Sequence, residues 1–252
     1  MIKNHFIVIS PCYNVIPYVE KCVDSIMTQK YDDFEYMLVE DCSTDGTREK
    51  VIALQSKYCF NVCYNPERTE SPLGNFVKGI DLSPGDDEDI IVTVDSDDWL
   101  IDDTVLAFLN EVYQDPDVWM TYGSFISDSG NIQGMCKPLT DTRNYRRLTT
   151  WVTSHMRTIK RKLWNKIKDA DLRDHNGKYY VYYPDTAYMF PAVEMAGLQH
   201  CRFIDKVLYV YNDRSPLCSA EDWIKMPERQ RKIALIAREI RMKPVYQELT
   251  KL

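Results

Sequence analysis

Three aspartates, Asp95, Asp97 and Asp98, fall within four residues directly after the apolar run Ile90 to Val94. Carboxylates that close repel one another unless a cation sits among them. A hard divalent ion suits the set, because Mg²⁺ and Mn²⁺ take oxygen ligands and commonly share them with phosphate. Such an ion would also neutralise charge on a departing diphosphate. The plain alternative makes Asp95 and Asp97 turn and cap residues; their place after a buried strand favours chemistry. Asp41, in the second acidic cluster Glu40-Asp41, has two open readings. It caps a helix starting near Ser43, or it accepts a hydrogen bond from the base or ribose of a nucleotide. No GxGxxG or GxxxxGK[ST] loop is present to cradle phosphate.

The elements that must position these acids follow a β-α alternation over the first hundred residues, the pattern of a mainly parallel sheet with helices on its faces. Strands are expected at His5 to Ser10, Phe34 to Val39, Cys59 to Tyr64, Asp89 to Val94 and Val118 to Phe125. Between them, helical spacing runs over Val19 to Met27, from a Ser43 or Thr44 cap toward Lys57, over Leu73 to Leu82, and from Asp102 or Asp103 to about Tyr113. In an open α/β sheet, ligands bind outside the carboxyl ends of the strands. Ser10 to Asn14, Glu40 to Ser43 and Asp95 to Asp98 therefore share one rim.

Beyond Phe125 the alternation weakens, and Gly, Ser, Pro and Asn mark a long loop to Thr142 and a change of subdomain. A strand near His155 to Ile159, helices over Lys162 to Lys168 and Asp185 to Ala196, and a strand from Cys201 to Tyr211 come next. The last 30 residues read as an amphipathic helix.

With 252 residues, 44% of them hydrophobic, the chain can bury one large core. No segment approaches the roughly 18 apolar residues of a membrane span, so the expectation is a cytoplasmic protein with no integral membrane contact. Eight cysteines without a CxxC pair read as reduced thiols. The net charge of −7 argues against indiscriminate nucleic-acid binding. From Thr142 to Lys168, however, five arginines and four lysines occur with no acid, which leaves a local basic face as an alternative to a dispersed, solvated surface.

Taken together, FIVISPCYN, LVEDCSTDGT and VDSDDW, in that order over residues 5 to 110, resemble the inverting family 2 glycosyltransferases with the GT-A fold, a Rossmann-like, mixed but mainly parallel α/β sheet. YYPDTAYMFPAVEMAG and FIDKVLYVYN extend the likeness to about residue 212. The resemblance implies that Pro11 and Tyr13 line a nucleotide pocket and that Asp41 takes a hydrogen bond from the base. It implies that Asp95, Ser96 and Asp97 form the DxD motif meeting ribose, diphosphate and metal, with Asp98 sharing the Mn²⁺ or Mg²⁺ ion. Asp185 stands at the place of the catalytic base, although Pro184 precedes it where the family usually has an acid. His155 and Arg157 have two open readings: they reach the donor phosphates or the acceptor, or they are a structural histidine and a surface arginine.

The implied division is a nucleotide-sugar-binding part over 1–125. An acceptor-binding part with a C-terminal helical segment follows over 126–252, within the same globular unit. The implied reaction moves a hexosyl or pentosyl group from a nucleotide diphosphate donor, a UDP-sugar by preference, onto a hydroxyl such as that of a glycan. Two alternatives stand beside it: glycosylation of a modified DNA base, as phage-type enzymes perform, and nucleotide-sugar binding without turnover. A nucleotidyltransferase would share the strand-end acids but would carry a basic Gly-rich loop after its first strand, which this chain lacks.

Overall fold

The computed structural model describes residues 2–132, 134, 136–147, 151–215 and 227–252. Among these, eight strands form one sheet in the order β3-β2-β1-β4-β7-β6-β8-β5. β1 (Phe6–Cys12), β2 (Phe34–Glu40), β3 (Asn61–Tyr64) and β4 (Ile90–Thr93) are parallel neighbours. β7 (Thr158–Lys160) lies antiparallel to both β4 and β6 (Met120–Ser127), β8 (Cys201–Tyr211) runs parallel to β6, and β5 (Trp99–Leu100) pairs antiparallel with β8.

The near-continuous apolar runs of β1 and β4 follow from burial on both faces. Ile7, Ile9 and Ile91 turn to a core shared with α3 (Pro72–Leu82) and α6 (Pro184–His200). Phe6, Val8, Ile90 and Val92 turn to the opposite core, under α1 (Val19–Met27), α2 (Thr47–Tyr58) and α4 (Val105–Val112). Gly79 lets α3 approach closely, since a Cβ there would stand 2.7 Å from a methyl of Ile9.

Most expected elements appear, with shifts that have local causes. Ser43 does not cap α2, which starts after Gly46 in the left-handed region. Ser43 Oγ instead accepts from the Asn14 amide at 3.0 Å and ties the end of β1 to that of β2. Asp102 turns its carboxylate on Thr104, the residue that precedes α4. The expected strand at His155 to Ile159 shrinks to Thr158–Lys160, because His155 and Arg157 are drawn into a polar cleft. The helix at Lys162 to Lys168 reduces to one turn, α5 (Arg161–Trp164). The terminal helix α7 (Pro227–Met242) ends before Pro244, and residues 243–252 continue as a strap bonded to α6, with the Leu249 amide on the Met195 carbonyl at 2.9 Å.

Part of the basic stretch from Thr142 to Lys168 turns inward, while Arg143, Lys160 and Lys162 line one shared cavity. Arg146 is buried on Glu194, Arg157 is buried in the cleft, and Arg161 donates to the carbonyls of Ile80 and Ser83 at the end of α3. Lys162 pairs with Glu88. Among the described residues, no cysteine is in a disulfide and no helix is long and apolar enough to cross a membrane.

Candidate active site

The ends of β1, β2 and β4 meet on one rim, as the parallel pairing requires. Ser96 Oγ donates to the Pro11 carbonyl at 2.7 Å, joining the turn after β4 to β1. The Asp41 amide donates to the Cys12 carbonyl at 2.9 Å, joining β2 to the same point.

Asp41 is buried and does not cap α2. Its Oδ1 accepts from Asn65 Nδ2 at 2.7 Å and the Thr69 amide at 2.8 Å, and its Oδ2 accepts from Thr69 Oγ1 at 3.1 Å. The carboxylate thus gathers the loop from Asn65 to Ser71. That loop brings the Arg68 guanidinium to 3.8 Å above the ring of Tyr13, so a cation and an aromatic face meet beside Asp41. Arg68 and Thr69 carry neither a periodic nor a motif signal in the sequence; a long-range loop closure places them.

The three acids after β4 separate into two kinds. Asp98 is fully buried and committed: its Oδ2 accepts from Tyr209 Oη at 2.8 Å and its Oδ1 from the Asn212 amide at 2.7 Å. Tyr209 Oη in turn accepts from the Asp95 amide at 3.0 Å, so one phenol locks the acidic turn to β8. Asp95 and Asp97 are only half-buried. Loss of water raises the pKa of Asp95, with Asp97 and Asp185 adding to the rise and Arg157 opposing it. Asp97 is raised by the same desolvation, against a hydrogen bond from Ser215.

Asp185 occupies the second position of α6. Tyr183 is the cap residue and Pro184 begins the helix, so Asp185 is not its N-cap. Its Oδ2 accepts from Arg157 Nη1 at 3.0 Å, and its Oδ1 from the Thr186 amide at 2.9 Å. Arg157 is therefore no surface residue. Its Nη2 lies 3.9 Å from Asp95 Oδ2 and donates to His155 Nδ1 at 3.2 Å, while its Nε has no partner among the described residues. Burial works to lower the pKa of this guanidinium, but Tyr188, Asp185 and Asp95 outweigh it, so the charge is permanent. Burial, and then Arg157, push the His155 pKa well down; the ring is neutral and stacks on Tyr209 with centroids 4.5 Å apart. The sequence cue for Arg157 is its place beside an apolar strand, not any motif.

Asp95, Asp98 and His155 could hold a metal ion, their candidate ligand atoms lying within 4.8 Å of one another. The His155 lone pair at Nδ1 faces a guanidinium that can only donate, and both Asp98 oxygens already accept bonds. A hard ion that prefers oxygen fits best at the half-buried carboxylate of Asp95, Asp98 contributing only its remaining lone pairs.

An α/β sheet of this order with a bonded acidic turn at the end of β4 defines a GT-A architecture. Residues 7–170 match the family model Glycosyl transferase family 2, and the chain belongs to that family. It is 30% identical over 132 residues to glycosyltransferase GlyA of Streptococcus pneumoniae, a match covering 52% of this chain and 18% of GlyA. The chain thus spans less than a fifth of that relative. Residues 1–349 of S. aureus TarS, solved with UDP-GlcNAc, superpose with a TM-score of 0.68 at 18% identity, covering 97% of this chain and 68% of that one. The mannosyltransferase PcManGT of Pyrobaculum calidifontis, solved with GDP-Man and Mn²⁺, gives 0.59 at 20% identity, covering 95% and 70%. At those identities the superpositions establish a shared GT-A fold.

Proposed function

We propose that this chain is an inverting, metal-dependent glycosyltransferase that moves a sugar from a UDP-sugar to a hydroxyl of a glycan acceptor. The observation that carries the reading is the convergence on Arg157: one buried guanidinium reaches Asp185 at 3.0 Å and Asp95 at 3.9 Å. An acid suited to the donor diphosphate and an acid suited to the acceptor hydroxyl thus flank one point, although they lie 90 residues apart.

In this reading Asp41, with Pro11 and Tyr13, receives the nucleoside, and Arg68 is poised to cover the base. Asp95, Ser96 and Asp97 meet ribose and diphosphate. Asp95 and Asp97, with Asp98 behind them, hold Mn²⁺ or Mg²⁺, which when bound supplies the positive charge that a departing diphosphate needs. Asp185 takes the proton from the acceptor hydroxyl as its oxygen attacks the anomeric carbon. That single displacement inverts the centre and needs no enzyme nucleophile. The Cys12 thiol beside Ser96 does not offer one, since burial pushes its pKa far up. Residues 1–125 would then serve the donor and 126–252 the acceptor.

Burial of Arg146 and Arg157 takes two cations from the surface a DNA acceptor would use, which supports the glycan reading. The test is a thermal-shift screen of nucleotide sugars with Mn²⁺, followed by assay of free nucleoside diphosphate with donor and acceptor glycans. A donor that raises the unfolding midpoint and is turned over is expected. No midpoint shift with any nucleotide sugar would overturn the reading, and a shift without turnover would leave a binding protein.

A further inference from the structure

Helix α7 is a basic element of an acidic chain: residues 227–242 hold five arginines and lysines against two glutamates, in a protein of net charge −7. Its inner face is explained by Ile233 and Ile240, buried under the molecule. Its outer face is not explained by folding. Leu235 and Met242, two turns apart, are each 65% exposed and form a ridge roughly opposite the buried isoleucines. Arg231 and Arg238 flank that ridge on one side and Lys232 on the other, all exposed. Exposed Arg147 adds a further cation, its Nη1 lying 3.7 Å from the sulfur of Met242. Of the two acids, Glu239 is held by Tyr180 and His175, and Glu228 sits in the first turn.

We propose that this face docks the protein on an anionic lipid surface, with α7 lying in the plane of the headgroups. An apolar ridge edged by cations is what an interfacial helix presents: the ridge enters the acyl boundary while arginine and lysine stay at headgroup phosphates. A nucleic acid would satisfy the cations but would leave Leu235 and Met242 without apolar partners, so the ridge selects lipid over other polyanions. α7 also borders the segment leading to Asp185, with the Arg229 guanidinium 5.7 Å from the ring of Tyr182 and Tyr180 Oη on Glu239 at 3.2 Å. Docking here would hold the base-bearing side of the cleft close to the bilayer.

The experiment is co-sedimentation of the full chain with vesicles of mixed phosphatidylglycerol and phosphatidylcholine, and with vesicles of phosphatidylcholine alone. No donor or acceptor is added, so the result is independent of the glycosyltransferase reading. Binding to the anionic vesicles, weakened by added salt, is expected. Leu235→Ser and Met242→Ser should each lower partitioning about tenfold, and Arg231→Ala and Arg238→Ala about fivefold each. All four sites are exposed, so an unchanged unfolding midpoint certifies the variants. Absence of binding to the anionic vesicles overturns the proposal. So does binding that survives the two serine substitutions, or tighter binding to duplex DNA at the same salt.

Discussion

Arg146 and Arg157 are both sealed from water, eleven residues apart, and their surroundings differ in kind. Arg146 holds Glu194 in a two-pronged pair, with Nε at 2.7 Å and Nη2 at 2.8 Å, and gives Nη1 to the Ile240 carbonyl at 3.2 Å. Glu194 also accepts the Tyr246 amide at 3.0 Å, so α6, α7 and the terminal strap are fastened at one satisfied point. Arg157 has one firm carboxylate bond, a second carboxylate at 3.9 Å, a histidine lone pair, and an orphaned Nε. A completed buried pair specifies structure, whereas an incomplete one keeps bonding capacity for something that arrives later. The second kind sits at the end of β4, where an anionic donor would bring the missing partners.

Four substitutions break or sharpen this contrast. Asp185→Asn removes the proposed base and should lower kcat by about 10² to 10⁴ while donor affinity stays close to wild type. Because the asparagine leaves Arg157 without its nearest charge, stability should also fall by about 1 to 3 kcal/mol in denaturant titration. Normal turnover would move the base elsewhere.

Arg146→Met should cost about 3 to 5 kcal/mol of stability by stranding Glu194, yet leave kcat per folded molecule unaltered. Adding Glu194→Leu should restore much of the loss. A fall in kcat at full folding would show that the fastening point also serves the chemistry.

Next, Asp97→Asn should leave the fold intact and lower metal-dependent donor affinity by about 1.5 to 3 kcal/mol, the worth of a charge-assisted contact. Titration of donor with and without Mn²⁺ checks this; an unchanged metal response would restrict the ion to Asp95 and Asp98.

The smallest effect is expected for Asp41→Asn, about 1 to 2 kcal/mol in binding of the nucleotide with or without sugar, since an amide cannot accept every bond the carboxylate now takes. Calorimetry of nucleoside diphosphate binding would show it, and an unaltered affinity would make Asp41 only the anchor of the Asn65–Ser71 loop.

Much of the first 125 residues is legible in the sequence. β1, β2 and β4 are short apolar runs whose two faces are both buried, and the apolar pattern from Cys201 to Tyr211 matches β8 to the residue. The loop after Phe125 reads as a change of subdomain, but β7 and β8 return to the same sheet, a long-range pairing that no local pattern reports. Asp102 and Ser43 do not cap their helices because each side chain finds a nearer amide. The basic stretch yields only part of the surface charge it suggests, because composition records charge but not direction, and Arg146 and Arg157 point inward.

What the sequence determined by itself is the set of strands and the acids that follow them, because burial on two faces and a turn after a strand are local properties. The tertiary structure decided which acid is sealed in and which stay half-buried. Asp98, spelled like its neighbours, is consumed by Tyr209 and Asn212 more than a hundred residues away. Asp185 meets Asp95 only through Arg157, which enters the cleft because β7 inserts beside β4. Hydrogen-bond partners at such separation are set by packing of the whole sheet, and that packing is what turns three like acids into one buried anchor and two half-buried neighbours.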